Sequence, residues 1–122
     1  MTDTDGLVSG EPEQLQVAFP ASPTFTRIGR VAVVGLALRL GHDVATVEKL
    51  RTAVDDAVQA LQGSGRIEVR AAWTASQLLV TLDNPQAQVA EPEAVTERLA
   101  ELVSTVTVDS TTIQMALDLP SG

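Results

Sequence analysis

The sequence predicts a two-layer α+β sandwich, a mixed and mostly antiparallel sheet with its helices on one face, and three observations lead there. Apolar and polar residues alternate in five short segments, the period of a half-buried strand. Between them lie stretches whose apolar residues recur every three or four positions, the period of an amphipathic helix. With 122 residues, 44% of them hydrophobic, the chain can fill one core and has little room for a second. The order is β-α-α-β-β-α-β-β without an internal repeat, and one sheet with helices layered on one face buries both patterns economically.

Residues 1–12 are mostly Thr, Asp, Gly, Ser, Glu and Pro, so they read as a mobile acidic tail before a single domain spanning 13–122. In Gln14–Phe19, Leu15, Val17 and Phe19 alternate with polar or small residues until Pro20, the pattern of an edge strand. Ser22 and Pro23 open the first helix: the serine oxygen can accept an orphan amide, and proline sits where no intrahelical donor is needed. Gly41 ends it. The run Val31–Leu38 also suits a buried strand, and Gly35 weakens a helix by about 1 kcal/mol relative to alanine. The caps favour the helix.

Asp43 caps a second helix, where Val47, Leu50, Val54, Ala57, Val58 and Leu61 form one apolar stripe. Gly63-Ser64-Gly65 stops it. A strand follows to Trp73, its Ile67, Val69 and Ala71 alternating with Arg66, Glu68 and Arg70. After the Thr74–Ser76 turn, Gln77–Asp83 is richer in Leu and Val and reads as the more central partner of a hairpin. A loop over 84–90 leads to a helix from Pro92, with Glu91 and Glu93 near its N-terminus and Val95, Leu99, Leu102 and Val103 as its stripe. Thr105–Val108 and Thr112–Leu119 form a last hairpin around Asp109-Ser110. Phe19, Phe25 and Trp73 are expected in or around the core.

Composition excludes several functions. Eight basic against sixteen acidic residues leave a net charge of −8, which repels a phosphate backbone and disfavours direct nucleic-acid binding. Without cysteine there is no disulfide or thiolate metal site, which suits a reducing cytoplasm. The acidic N-terminus is unlike a secretory signal, and Val31–Leu38 is too short to span a bilayer, so a soluble, unexported, cytoplasmic protein is expected. His42, in a turn without a second ligating residue, reads as a loop residue and not as a metal ligand or base. No serine sits in a Gly-x-Ser-x-Gly turn, which disfavours a hydrolase.

The second helix and the strand ending at Asp83 carry a resemblance to the GHKL ATPase superfamily, and within it to bacterial anti-sigma factors related to serine kinases. It covers roughly residues 13–119. In that family the second helix bears an acidic residue and, four positions on, an asparagine that holds magnesium. Residues four apart share a helix face, and the surrounding Leu50–Leu61 pattern places Asp56 at the acidic position and Ala60 at that of the asparagine. A frame shifted by one pairs Asp55 with Gln59. The family's next motif, Asp-x-Gly after a central strand, matches Asp83 as the adenine-binding aspartate, with Pro85 in place of the glycine. Residues 85–105 contain no glycine, so the family's phosphate-cradling box is absent. Asp56 and Asp83 are thus the vestigial nucleotide ligands the resemblance implies, beside a plainer reading as solvated or capping acids.

The first helix spreads its apolar residues around its circumference. One face can pack on the sheet; Val31, Val34 and Leu38, with Arg27, Arg30 and Arg39 at the rim, are candidates for a partner or self-association surface. The resemblance implies a protein partner such as a sigma factor or an anti-anti-sigma factor, and a possible homodimer. The leading expectation is a regulatory pseudokinase that sequesters a signalling protein and needs no cofactor. The alternatives are an ATP-dependent serine kinase, using Mg-ATP with Asp56 or Asp55 as base and Gln59 on magnesium, and a structural dimerisation module.

Overall fold

A computed structural model describes residues 13–118; the tail expected at 1–12 and the final Leu119 lie outside them. Strands β1 (Glu13–Pro20), β2 (Arg66–Trp73), β3 (Gln77–Asp83), β4 (Thr105–Val108) and β5 (Thr112–Asp118) form one sheet in the order β1-β2-β3-β5-β4. The expected edge strand is at an edge and the expected central strand is central. All four pairings are antiparallel. Among the described residues no pairing is parallel, so the sheet is antiparallel where a mixed one was expected: β4 takes the far edge and β5 returns between it and β3, antiparallel to both.

Register aligns the apolar positions into rows across all five strands. Val17, Val69, Leu82, Ile113 and Val108 form one row; Leu15, Ala71, Val80, Met115 and Val106 form the next. Ile67, Leu78, Leu82 and Ile113 are fully buried, each worth about 1.5–3 kcal/mol of transfer free energy. The opposite face carries Gln16, Arg70, Thr81, Gln114 and Thr107 in register and stays polar.

Three helices cover the apolar face: α1 (Thr26–Arg39), α2 (Val44–Ala60) and α3 (Pro92–Ala100). The run Val31–Leu38 is helical, since Gly29, Val33, Leu36 and Ala37 bury one stripe of α1. A 3-10 turn over Pro23–Phe25 precedes α1, and the expected serine cap differs from the structure. The Ser22 side chain makes no cap bond; its carbonyl oxygen accepts the Phe25 N–H at 2.9 Å. The tighter turn also shifts the phase of the side chains, so Phe25 stays 36% exposed. Gly29 is where α1 crosses the sheet closely: a Cβ there would lie 3.2 Å from Phe19 Cζ and 3.5 Å from a Val58 methyl.

The α1–α2 junction follows the expected capping chemistry. Gly41, at φ +95°, ends α1 with its N–H on Leu38 O and the His42 N–H on Ala37 O, both at 3.2 Å, a Schellman arrangement. Asp43 Oδ1 then accepts the Thr46 N–H at 2.8 Å and starts α2. His42 is more than a plain loop residue: it is buried, and its Nε2 has no partner among the described residues. Burial holds its pKa below the usual 6.5, against a smaller opposing pull from Asp43. The unfolded chain therefore takes up this proton first as pH falls, so the stability given by the neutral imidazole is complete above about 6.5 and is lost below it. Asp43 behaves differently, its carboxylate held below its usual pKa by the Thr46 amide. Its contribution persists to lower pH and is lost only as the cap protonates. Two steps are expected in unfolding free energy against pH, measured by denaturant titration: His42→Gln removes the upper one, and Asp43→Asn, which keeps a capping oxygen, removes the lower.

Candidate functional site

A cavity of about 510 Å³ opens between α2 and the segment leading into α3, lined by Asp56, Gln59, Ala60, Gln88, Glu91 and Arg98 among others. Helical spacing puts Asp56 and Ala60 on this side. Asp55 turns away: its Oδ2 pairs with Arg30 Nη1 at 3.2 Å, tying α2 to α1. The frame of Asp56 with Ala60 therefore faces the cavity and the frame of Asp55 with Gln59 is split. Gln59 alone lines both this cavity and a second one formed with Pro23, Thr26, Asp55 and Gln62. Glu91, entering α3, has left-handed backbone (φ 50°, ψ 61°) and its carbonyl accepts the N–H groups of Ala94 and Val95.

Asp83 is not brought to Asp56. It follows Leu82, which faces the core, so it points to the opposite face of the sheet, where Thr112 Oγ1 donates to its Oδ1 at 2.7 Å. The core-facing position is Asn84, fully buried. Its Nδ2 donates to Leu61 O and to Ser64 O, both at 2.9 Å, while its Oδ1 accepts the Gln86 N–H at 3.0 Å. Its backbone N–H donates to Thr111 O and its carbonyl accepts the Ala87 N–H, closing a turn with Pro85 at the second position. Gly65, at φ +84°, makes room, since a Cβ there would stand 3.0 Å from Asn84 Oδ1. Asn84 thus clamps the end of β3 to the end of α2, next to Pro85, which stands where the family that the sequence resembles has a glycine. Asn-Pro directly after a strand signals the local turn, in which the side-chain oxygen accepts the Gln86 N–H, but not the bonds to Leu61 and Ser64.

The cavity and the positions named from the resemblance differ in what they carry. Ala60 has no oxygen for a metal, Asp83 faces away from the cavity, and the segment over 85–105 has no glycine for close phosphate approach. Among the described residues no group of three or more His, Asp or Glu is placed to hold a metal ion.

The residues expected at a partner surface fall on the outer side of α1. Val31 is 60% exposed and Leu38 53%, with Arg27 exposed beside them. Arg30 is half-buried in its ion pair and Val34 packs partly against the core. Neither Arg27 nor Arg39 forms an ion pair among the described residues. None of the helices is long and apolar enough to cross a membrane among the described residues.

No protein-family model and no curated protein matches the chain. The fold is shared with a solved structure, that of the RsbU and RsbW domains of Rv1364c from Mycobacterium tuberculosis, with a TM-score of 0.75 over 90% of this chain at 17% identity. The match spans 33% of that longer chain, and at this identity what it establishes is the RsbW-like two-layer fold.

Proposed function

We propose that the chain is a regulatory protein-binding domain of the anti-sigma kind, which occupies a sigma factor or another signalling protein without using ATP. The observation that carries this reading is the outer side of α1, where exposed Val31 and Leu38 lie beside Arg27, which has no ion-pair partner among the described residues. Apolar side chains flanked by an arginine form a common interface pattern. On a chain of net charge −8, α1 carries Arg27, Arg30 and Arg39 and no acidic residue. An acidic, apolar-faced partner segment complements it. The altered nucleotide motifs agree with action by occlusion.

Gln59 favours a second reading, because it lines the same cavity as Asp56 and offers an amide oxygen. In that case the chain is a serine kinase with unusual ligands. Isothermal calorimetry with Mg-ATP separates the two. We expect no binding heat; micromolar binding abolished by Asp56→Ala would establish the kinase reading instead. Capture of a stoichiometric protein from native lysate, unchanged by Mg-ATP, is the matching positive result.

A further inference from the structure

The second cavity, about 520 Å³ in volume, is lined by Pro23, Thr26, Asp55, Gln59 and Gln62. Two of these residues keep a buried acceptor oxygen without a donor among the described residues, and we infer that the cavity is a binding site for a guanidinium group. Its volume lies in the range of small-molecule sites and far above the roughly 30 Å³ of one water. Asp55 and exposed Gln59 share a face of α2, and Gln62 follows its last turn. Pro23 and Thr26 come from the turn that opens α1.

Each unpaired oxygen can be traced bond by bond. Asp55 Oδ2 takes Arg30 Nη1 at 3.2 Å, which leaves Oδ1 shielded and without a partner among the described residues. Thr26 Oγ1 donates to Pro23 O at 3.0 Å, so its one hydrogen is committed and toward Gln62 it can only accept. That fixes the amide orientation: Gln62 Nε2 donates to Thr26 Oγ1 at 3.2 Å, and Oε1 is the atom left over. Native structures seldom leave such acceptors unpaired. Both residues are half-buried, and the terminal torsions of carboxylates and amides are broad, so a small rotation turns either oxygen to an occupant of the cavity.

The lining selects among ligands. A carboxylate and amide oxygens on a chain of net charge −8 repel an anion and draw in a cation. Arg30 already neutralises Asp55, so charge alone attracts modestly and the arrangement of donors decides. An ammonium is a compact, strongly hydrated point charge, whereas guanidinium spreads five N–H donors over a flat fork and is more weakly hydrated. Two edges of one fork serve Asp55 and Gln62 together, with the flat face against the Pro23 ring. The group can belong to a free small molecule or to an arginine side chain of a protein.

The test is a ¹H–¹⁵N NMR titration of the full chain with n-butylguanidinium and, in parallel, with a capped Gly-Arg-Gly peptide. The side-chain amides of Gln59 and Gln62 and the backbone amides of Thr26 and Asp55 are expected to shift, with a Kd of about 1 mM or tighter. Equal concentrations of n-butylammonium and of acetate are expected to leave them in place. A peptide at least as tight as n-butylguanidinium assigns the site to a protein's arginine, and a weaker one to a free cation. Gln62→Met keeps the length and removes the acceptor, so binding should weaken about tenfold or more; Gln62→Glu should tighten it by a similar factor. Asp55→Asn should weaken it too, with the melting temperature measured alongside because that change also loosens the tie to Arg30. Neither Val31 nor Leu38 lines the cavity, so this site and the partner surface can each fail alone. No shift at these residues up to about 10 mM ligand, equal affinity for n-butylammonium, or affinity unchanged in both Gln62 variants would overturn the inference.

Discussion

Asn84→Ala should lower the unfolding free energy by about 3 kcal/mol and the melting temperature by roughly 10–15 °C. The side chain makes three hydrogen bonds from a fully buried position, and its loss leaves Leu61 O, Ser64 O and the Gln86 N–H without those partners. Buried polar groups left unpaired are what make such a change large. Asn84→Asp keeps the shape and the acceptor to Gln86 but turns both donor bonds into carboxylate–carbonyl contacts. It should be at least as destabilising at neutral pH. The buried carboxylate of this variant would have a raised pKa in the folded state, so that state binds the extra proton more readily and stability should recover as pH falls. Denaturant titration of both variants at neutral and mildly acidic pH checks this; an Asn84→Ala chain within 1 kcal/mol of wild type would show that the clamp contributes little.

The same residue shows where sequence reasoning runs out. The strands were legible because their burial alternates as their residues do: Leu78, Val80 and Leu82 face inward on β3, as Ile67, Val69 and Ala71 do on β2. The α2 stripe and its Asp43 cap were legible because each depends on residues within one turn of helix. Asn84 acts on Leu61 and Ser64, 23 and 20 positions away, and no local pattern marks such a contact. Asp83 shows the related difficulty at the site. Its place after a Leu- and Val-rich strand fitted a nucleotide ligand, but a one-residue change of position along a strand reverses the face, and alternation sends Asp83 outward. Asp56 and Ala60 line the cavity together because residues four apart share a helix face; the cavity itself, which needs the segment before α3, has no mark in the local sequence. Ser22 was misread as a side-chain cap because its composition suits either a helix start or the 3-10 turn that formed.

Val31→Glu together with Leu38→Glu should reduce affinity for a protein partner by about a hundredfold or more while leaving the fold intact. Both side chains are over half exposed, so their replacement costs the folded chain little, within about 0.5 kcal/mol each by the usual behaviour of surface sites. At an interface the same positions would be desolvated, and each substitution sets an unpaired carboxylate against an apolar partner surface, so the two together approach a hundredfold or beyond. Arg27→Glu should add a different effect. Its charge reversal at the rim acts on encounter with an acidic surface, so association slows and the salt dependence of the rate is lost, while dissociation changes less. Surface plasmon resonance with the captured partner, run at low and high salt, separates these contributions, and circular dichroism verifies the fold. Unchanged affinity in the Val31 and Leu38 double variant would remove α1 from the partner surface, even with a partner in hand. Loss of binding in Asp56→Ala instead would move recognition to the cavity beside α2, where Arg98 and Glu91 are the remaining charged groups.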